Sequence, residues 1–390
     1  MTSSLSFASV RRARLANIGR GLLAAAAATL CLQCKGSSSG DAASTGSGGS
    51  TPSATSVAAA APPPAAAASI DHTATAGSLA GEYRGTIGGA LAIVVRLTKD
   101  AGKVRGTYFY EKSGSDLELG GTLQGAHLRL DESLGKTKTG AMSLDLGPDG
   151  ALTGTWTDAK GNKPSPFRAA PVHPDLSPTT VTVFKKAIRF TKPVDRADAA
   201  AGVCKASVEY AEVFGLKPEV EAKINPKLAP GKDELPDATC DHGVDTERGY
   251  SIILNDKGIL SVRTSGSVSD SQAAHPSEQG FGTVNVFLAD GTDVALFGDL
   301  LKPKTEAALK RSLAASVDAV WKKEKWEASD KQTVLDALEP PSSFVIEKHG
   351  LRFFADGLPH VVWALGGDGF LVPYAALVGA NGRAAAVWEK

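Results

Sequence analysis

The sequence predicts an exported chain with two folded parts: a small antiparallel up-and-down β-barrel, then an α+β domain with a mostly antiparallel sheet and one long helix. Three observations carry this expectation. Short alternating segments recur through residues 78–170, with turn signals between them. From about residue 180 to 390, strand-like and helix-like stretches fall in separate blocks. Ahead of both lies an arginine-led apolar stretch followed by a low-complexity run.

Residues 1–34 read as an export signal. Arg11, Arg12, Arg14 and Arg20 come without any acid, and the apolar run Gly21 to Leu32 follows. That run is too short to cross roughly 30 Å of hydrocarbon. Arg11-Arg12 suggests a twin-arginine signal, but Arg14 stands where hydrophobic residues belong. Cys31 and Cys34 close the run, at the place where a lipoprotein signal is cut and its cysteine acylated. Leu30 and Gln33 occupy the preceding positions, where a small residue is usual. Lipidation of Cys31 or Cys34 is therefore the expectation, with an ordinary cleaved signal as the alternative. Residues 35–77 hold little besides Gly, Ser, Thr, Ala and Pro, and cannot bury a core. As a flexible tether they span on the order of 35 Å, which would hold the folded parts off a membrane.

The barrel segments are Glu82–Ile87, Leu91–Thr98, Val104–Glu111, Asp116–Leu123, His127–Asp131, Ala141–Leu146, Leu152–Thr157 and a short piece near Phe167. Alternation is clean at Tyr108 and Tyr110, at Leu128 and Leu130, and at Met142, Leu144 and Leu146. Turns fall at Asp100-Ala-Gly102, Ser113-Gly114, Gly120-Gly121, Pro148-Asp-Gly150 and Lys160-Gly-Asn162. The piece Asp149 to Trp156 resembles a strand of the small avidin-like barrels. That family's biotin pocket needs several tryptophans, and this segment has only Trp156.

Prolines at 171, 174 and 178 mark a hinge into the second part. There Ser207–Phe214 reads as a strand, and Pro218 opens a helix carrying Val220, Ile224 and Leu228 on one face. Tyr250–Leu254, Ile259–Val268 and Val284–Leu288 form a meander. Thr305–Trp326 is the long helix, with Leu309, Leu313 and Val317 on one face. Phe344–Glu347, Leu351–Phe354 and Phe370–Val372 are the late strands.

Across about 205–378 this order resembles the extracellular domain of the lysozyme-sensing anti-sigma factor (RsiV-like), also found beside peptidoglycan deacetylase domains. The residues carrying the likeness are Lys223-Ile-Asn225, Gly258-Ile-Leu-Ser-Val262, Ala274-His275-Pro276, Val284-Asn-Val-Phe287 and Leu296-Phe-Gly-Asp-Leu300. Phe344 through Phe353 and Phe370-Leu-Val-Pro-Tyr374 complete it. The resemblance implies recognition of a wall component or of a wall-attacking protein. The short stretch before the apolar run and the end at Lys390 leave neither a sigma-binding segment nor a deacetylase domain to be expected.

Formal charge is zero, but removing the four leading arginines leaves 38 basic against 42 acidic residues, a net of −4. Nucleic acid is excluded as the expected partner, because phosphate binding needs a basic footprint. Cys204 and Cys240 suit a disulfide in an exported chain. With His242 they would supply three zinc ligands, short of the four a structural site wants. No metal and no cofactor are expected. His275 and Glu278 share a loop without a nucleophile in reach of sequence, and His349 and His360 have no metal-ligand spacing. The candidate contact loop runs from His275 through Glu278 to Phe281, and Trp326 near the helix end is a candidate stacking residue.

The expected function is a non-enzymatic envelope lipoprotein, facing the periplasm or cell surface and binding a lysozyme-like protein or peptidoglycan. A small-ligand carrier using the barrel interior is the rival, and a hydrolase around His275 the third reading. The export reading predicts a mature chain that begins at an acylated Cys31 or Cys34 and partitions with membranes. Mass spectrometry of the N-terminus checks it; an unmodified terminus in the soluble fraction overturns it.

Overall fold

Alternating apolar residues cannot bury one face of a lone hairpin, and here eight such segments close on themselves. The strands are β1 (Gly81–Ile87), β2 (Leu91–Asp100), β3 (Lys103–Tyr110), β4 (Leu117–Gln124), β5 (His127–Leu134), β6 (Thr137–Leu146), β7 (Leu152–Asp158) and β8 (Ser165–Pro171). Each pairs antiparallel with the next, and β1 also pairs with β8, which closes the barrel. The structure is a computed structural model that describes residues 79, 81–193, 203–231, 244–270, 277–355, 358, 368–379 and 383–388. Cys31, Cys34, Cys240 and His275 lie outside the described residues.

Inside the barrel sit Ile93, Val95 and Leu97 from β2, Leu128 and Leu130 from β5, and Met142, Leu144 and Leu146 from β6. An eight-stranded barrel leaves an interior just wide enough for side chains, and these residues fill it. Strands β2 and β3 are unusual in burying their outer face too, through Val94 and Phe109.

That outer face rests on a five-stranded sheet built from β9 (Thr182–Pro193), β10 (Val203–Phe214), β11 (Val244–Asp256), β12 (Ile259–Asp270) and β13 (Ser277–Phe287). The strands lie in chain order, antiparallel except for the parallel pair β10–β11. Helix α1 (Pro218–Leu228) begins with a proline, whose missing N–H costs nothing in the first turn. It presses Val220, Ile224 and Leu228 against Val213, Leu260 and Val286.

A separate core holds α2 (Glu306–Glu324), α3 (Ala328–Ala337) and a three-stranded antiparallel sheet of β14 (Phe344–Glu347), β15 (Gly350–Phe353) and β16 (Phe370–Pro373). A buried polar clasp ties this sheet to the larger one. Ser261 donates to Asn285 (2.6 Å) and accepts from the Ile346 amide (3.0 Å), while Asn285 donates to the Phe344 carbonyl (2.8 Å). Among the described residues no helix is long and apolar enough to cross a membrane.

Several elements depart from the sequence expectation. Strand β9 is an addition. The expected long helix is present as Glu306–Glu324, ending where Lys325 turns left-handed (φ 56°, ψ 44°), and the following helix α3 is a further addition. Trp326, expected to stack in solvent, is 6% exposed and meets Phe370 edge-on at 6.4 Å. It is core, because the break after α2 turns the chain back onto the small sheet.

Residues His72–Lys390 form one unit, and the barrel meets the sheet through aromatics ringed by charge. Phe109, Phe184 and Phe214 contact edge-to-face at 5.7 and 5.4 Å. Arg96 bonds Glu82 and Glu212, each at 2.7 Å, with Glu221 of α1 at 3.8 Å. Lys186 is buried between Asp116 and Glu212, its ammonium 3.9 Å from the Phe109 ring centre. Gly114 lets the β3–β4 connection lie on β9: its φ is +68°, and a Cβ there would meet the Lys185 carbonyl at 2.2 Å.

Burial, followed by the negative charge of Glu82, pushes the Glu221 carboxyl from 4.5 up to about 8. The unfolded chain gives up this proton near 4.5 and the folded chain near 8. Between those values the folded state binds more protons, so stability falls as pH rises through that window. Glu221→Gln keeps an acceptor for the Leu216 amide (2.9 Å) and removes the titration. Urea unfolding at pH 5, 6.5 and 8 should show a decline in the parent that is reduced in Glu221→Gln; parallel declines would disprove the assignment.

Candidate ligand site at the barrel mouth

Along β5 the inward positions read Leu128, Leu130, Glu132, Leu134, so the same alternation that builds the core sends one carboxylate inside. Glu132 is 3% exposed. Tyr108 comes in from β3 and Trp156 from β7, and both donate to one oxygen: the Tyr108 hydroxyl and the Trp156 Nε1–H each lie 2.6 Å from Glu132 Oε2. The Tyr110 hydroxyl stands 3.3 Å from that of Tyr108, with ring centres 5.5 Å apart at 67°.

The approach depends on a glycine. Gly140 of β6 faces Glu132 across the strand pair, and a Cβ there would lie 2.8 Å from Trp156 Nε1 and 3.0 Å from Glu132 Oε2. The β5–β6 register shifts just beyond Glu132, a bulge of the kind that re-aims side chains at barrel rims. Thr139, beside that shift, buries a hydroxyl oxygen that has no hydrogen-bond partner.

Glu132 forms no ion pair among the described residues, and its two donors are neutral. A charge removed from water usually has an opposite charge beside it. Burial and then the hydrogen bond to Glu132 hold the Tyr108 phenol far above its usual range, and burial also raises Tyr110. Both phenols stay neutral at any physiological pH. Above them the rim exposes some apolar surface: Leu91 and Leu134 continue the inward rows of β2 and β5 and are 55% and 58% exposed. Tyr110, Leu117 and Trp156 are half-buried against the core beneath. The mouth therefore combines apolar contact area, aromatic faces and one buried negative charge.

The residues expected from sequence to carry function are not assembled there. Glu278 and Phe281 belong to the edge strand β13, paired with Val268 and Ser265, rather than to a loop. Pairing with β12 draws this glycine- and serine-rich stretch into the sheet despite its weak strand preference. Cys204 is buried on β10 and is not without a partner; Cys240 lies outside the described residues, so their pairing stays a proposal. Among the described residues no group of three or more metal-ligating side chains forms. A shallow cleft of about 550 Å³ crosses β9, β10 and β11 between Arg189, Lys205, Asp245 and Glu247. Its Arg189 is already paired with Glu209 at 2.7 Å.

Glu132 escapes a reading of composition because one acid in a polar-alternating strand resembles any solvent-facing charge. The available signal is its parity with Leu128 and Leu130.

No protein-family model matches the chain, and no curated protein matches it. Among solved structures, a DUF3298 family member from Bacteroides fragilis aligns with TM-score 0.38 and 14% identity, covering 54% of this chain and 100% of that one. A DUF3298 family protein from Pseudomonas aeruginosa aligns with TM-score 0.34 and 12% identity, over 50% of this chain and 94% of that one. Both are coarse likenesses, and no residue role is taken from them.

Tyr108→Phe leaves Glu132 with Trp156 as its one protein donor. Loss of a hydrogen bond to a buried charge costs about 1–3 kcal/mol, so the urea midpoint of the barrel should fall accordingly and Trp156 emission should shift. An unchanged midpoint would mean that water already satisfies the carboxylate.

Proposed function

We propose that this protein is a non-enzymatic binding protein of the cell envelope that takes a small ligand, or the small end of a larger one, at the mouth of its barrel. The observation that carries this reading is Glu132, buried between neutral donors beneath an exposed apolar rim. Apolar contact area around a few convergent polar groups is the usual lining of small-molecule sites. With the barrel's interior filled by its own side chains, the rival carrier reading narrows from the interior to the mouth. Binding rather than catalysis fits a carboxylate whose oxygen is held by Tyr108 and Trp156 instead of being left to move protons. The arginine-led start, Cys31, Cys34 and the tether support a lipid-anchored setting.

A second reading concerns the sheet domain. Its segment order resembles the extracellular domain of the lysozyme-sensing anti-sigma factor, and its edge strand β13 carries Glu278 and Phe281. Edge strands accept added strands from partners. A wall-associated protein or glycan would be the partner in this case.

Titration of the purified mature chain with soluble peptidoglycan fragments, small amines, small sugars and lysozyme separates the readings. The mouth reading expects saturable binding of a small ligand that is lost in Trp156→Phe and leaves the ligand chemically unchanged. Binding of lysozyme or glycan that is indifferent to Trp156→Phe transfers the function to the sheet domain. Consumption of a ligand would overturn the non-enzymatic reading altogether.

A further inference from the structure

Resting on the mouth reading, we infer that the ligand group this site recognises is an organic ammonium carried on a small apolar body. The inference starts from a charge imbalance. Glu132 is almost fully buried, yet none of the described lysines or arginines pairs with it. Both of its donors among the described residues are directed to Oε2, and none of the described residues bonds Oε1. A carboxylate has about four acceptor positions, so at least two remain for a ligand carrying N–H groups and positive charge.

Aromatic faces strengthen the same preference. Tyr110 and Trp156 are half-buried beside the carboxylate, and a cation is attracted to such rings, most strongly to tryptophan. A neutral ligand would leave the buried charge uncompensated. An anion would be repelled by it. The body of the ligand would rest on Leu91 and Leu134, whose exposure at inward rim positions offers apolar contact.

Other charges at this end of the barrel do not cancel Glu132. Lys138 pairs with Asp131 on the outer face at 2.5 Å. Lys112, Lys136, Lys160 and Lys163 lie in the connections between strands, where water screens them. Arg84 is committed to Glu111 at 2.7 Å, and Lys186 to Asp116 and Glu212.

The test uses three probes of one shape: n-hexylammonium, n-hexanol and hexanoate, titrated into the mature full-length chain while the Trp156 indole N–H resonance is followed. The expected order is hexylammonium tightest, by about tenfold or more over hexanol, with hexanoate weakest. Glu132→Gln keeps an oxygen for Tyr108 and Trp156 and should bring hexylammonium down to the level of hexanol. Because the probe series runs on the unaltered protein, the inference is tested even if that variant does not fold. Equal affinities for hexylammonium and hexanol, or hexanoate binding tightest, would overturn the ammonium assignment and leave a mouth site standing. If no probe perturbs Trp156, the mouth reading fails together with it.

Discussion

Eight strands close a ring whose interior is filled by its own side chains, and the organisation of the barrel follows from that constraint. Pairing of β1 with β8 removes both sheet edges. It also commits every inward position to a fixed volume. Leucine, isoleucine and methionine satisfy most of this demand, and the polar exceptions collect towards one end. Glu132, Tyr108 and Trp156 meet there because three strands separated in sequence bring their inward rows to a similar height. Gly140 provides the space for them. With this interior packed, the mouth, where the side-chain layers end, is the place the barrel leaves for contact with a ligand.

The outer wall obeys a different demand. Along β2, Ile93, Val94 and Val95 are all buried, which is possible only if something covers the outside of the barrel. The cover is the edge strand β9 with its neighbour β10, and the contact is an aromatic row, Phe109, Phe184 and Phe214, bounded by Arg96 and Lys186. Burying these cations is tolerable because carboxylates from both sides arrive with them: Glu82 and Asp116 from the barrel, Glu212 from the sheet domain. Charge at this junction is thus paired, whereas at the mouth it is not. The same fold handles buried acids in two ways, and the difference marks which of them is structural.

How much of this is readable from residues alone depends on whether the cause is local. The eight barrel strands are readable because alternation and turn glycines lie within each hairpin. Strand β9 is harder: Lys185, Lys186 and Arg189 break its apolar pattern, and a buried lysine makes sense only once Asp116 and Glu212 are placed beside it. The segment from Ser277 to Phe281 has loop composition but acquires strand backbone by pairing with β12. Trp326 lies where a continuous helix would expose it, and a single left-handed residue, Lys325, returns it to the core. Glu132 is the instructive case, since its position is legible in the period of β5 while its partners come from strands 24 residues away in either direction.

An unpaired buried carboxylate is a standing cost to the barrel. Replacing such a group with a well-packed apolar residue is commonly neutral or stabilising, and the neighbouring inward positions of β5 are leucines. A leucine at 132 would remove that charge but leave the Tyr108 hydroxyl and the Trp156 N–H without their acceptor. Instead the barrel spends a glycine at 140, a strand irregularity beside it, and two directed donors on holding one oxygen of Glu132 in place. These features orient the carboxyl group without bringing an opposite charge to it. The two donors give a structural reason for an acceptor at 132, but stability alone gives none for a charged one. A ligand that brings the missing positive charge does, because its binding would remove the cost that folding leaves in place.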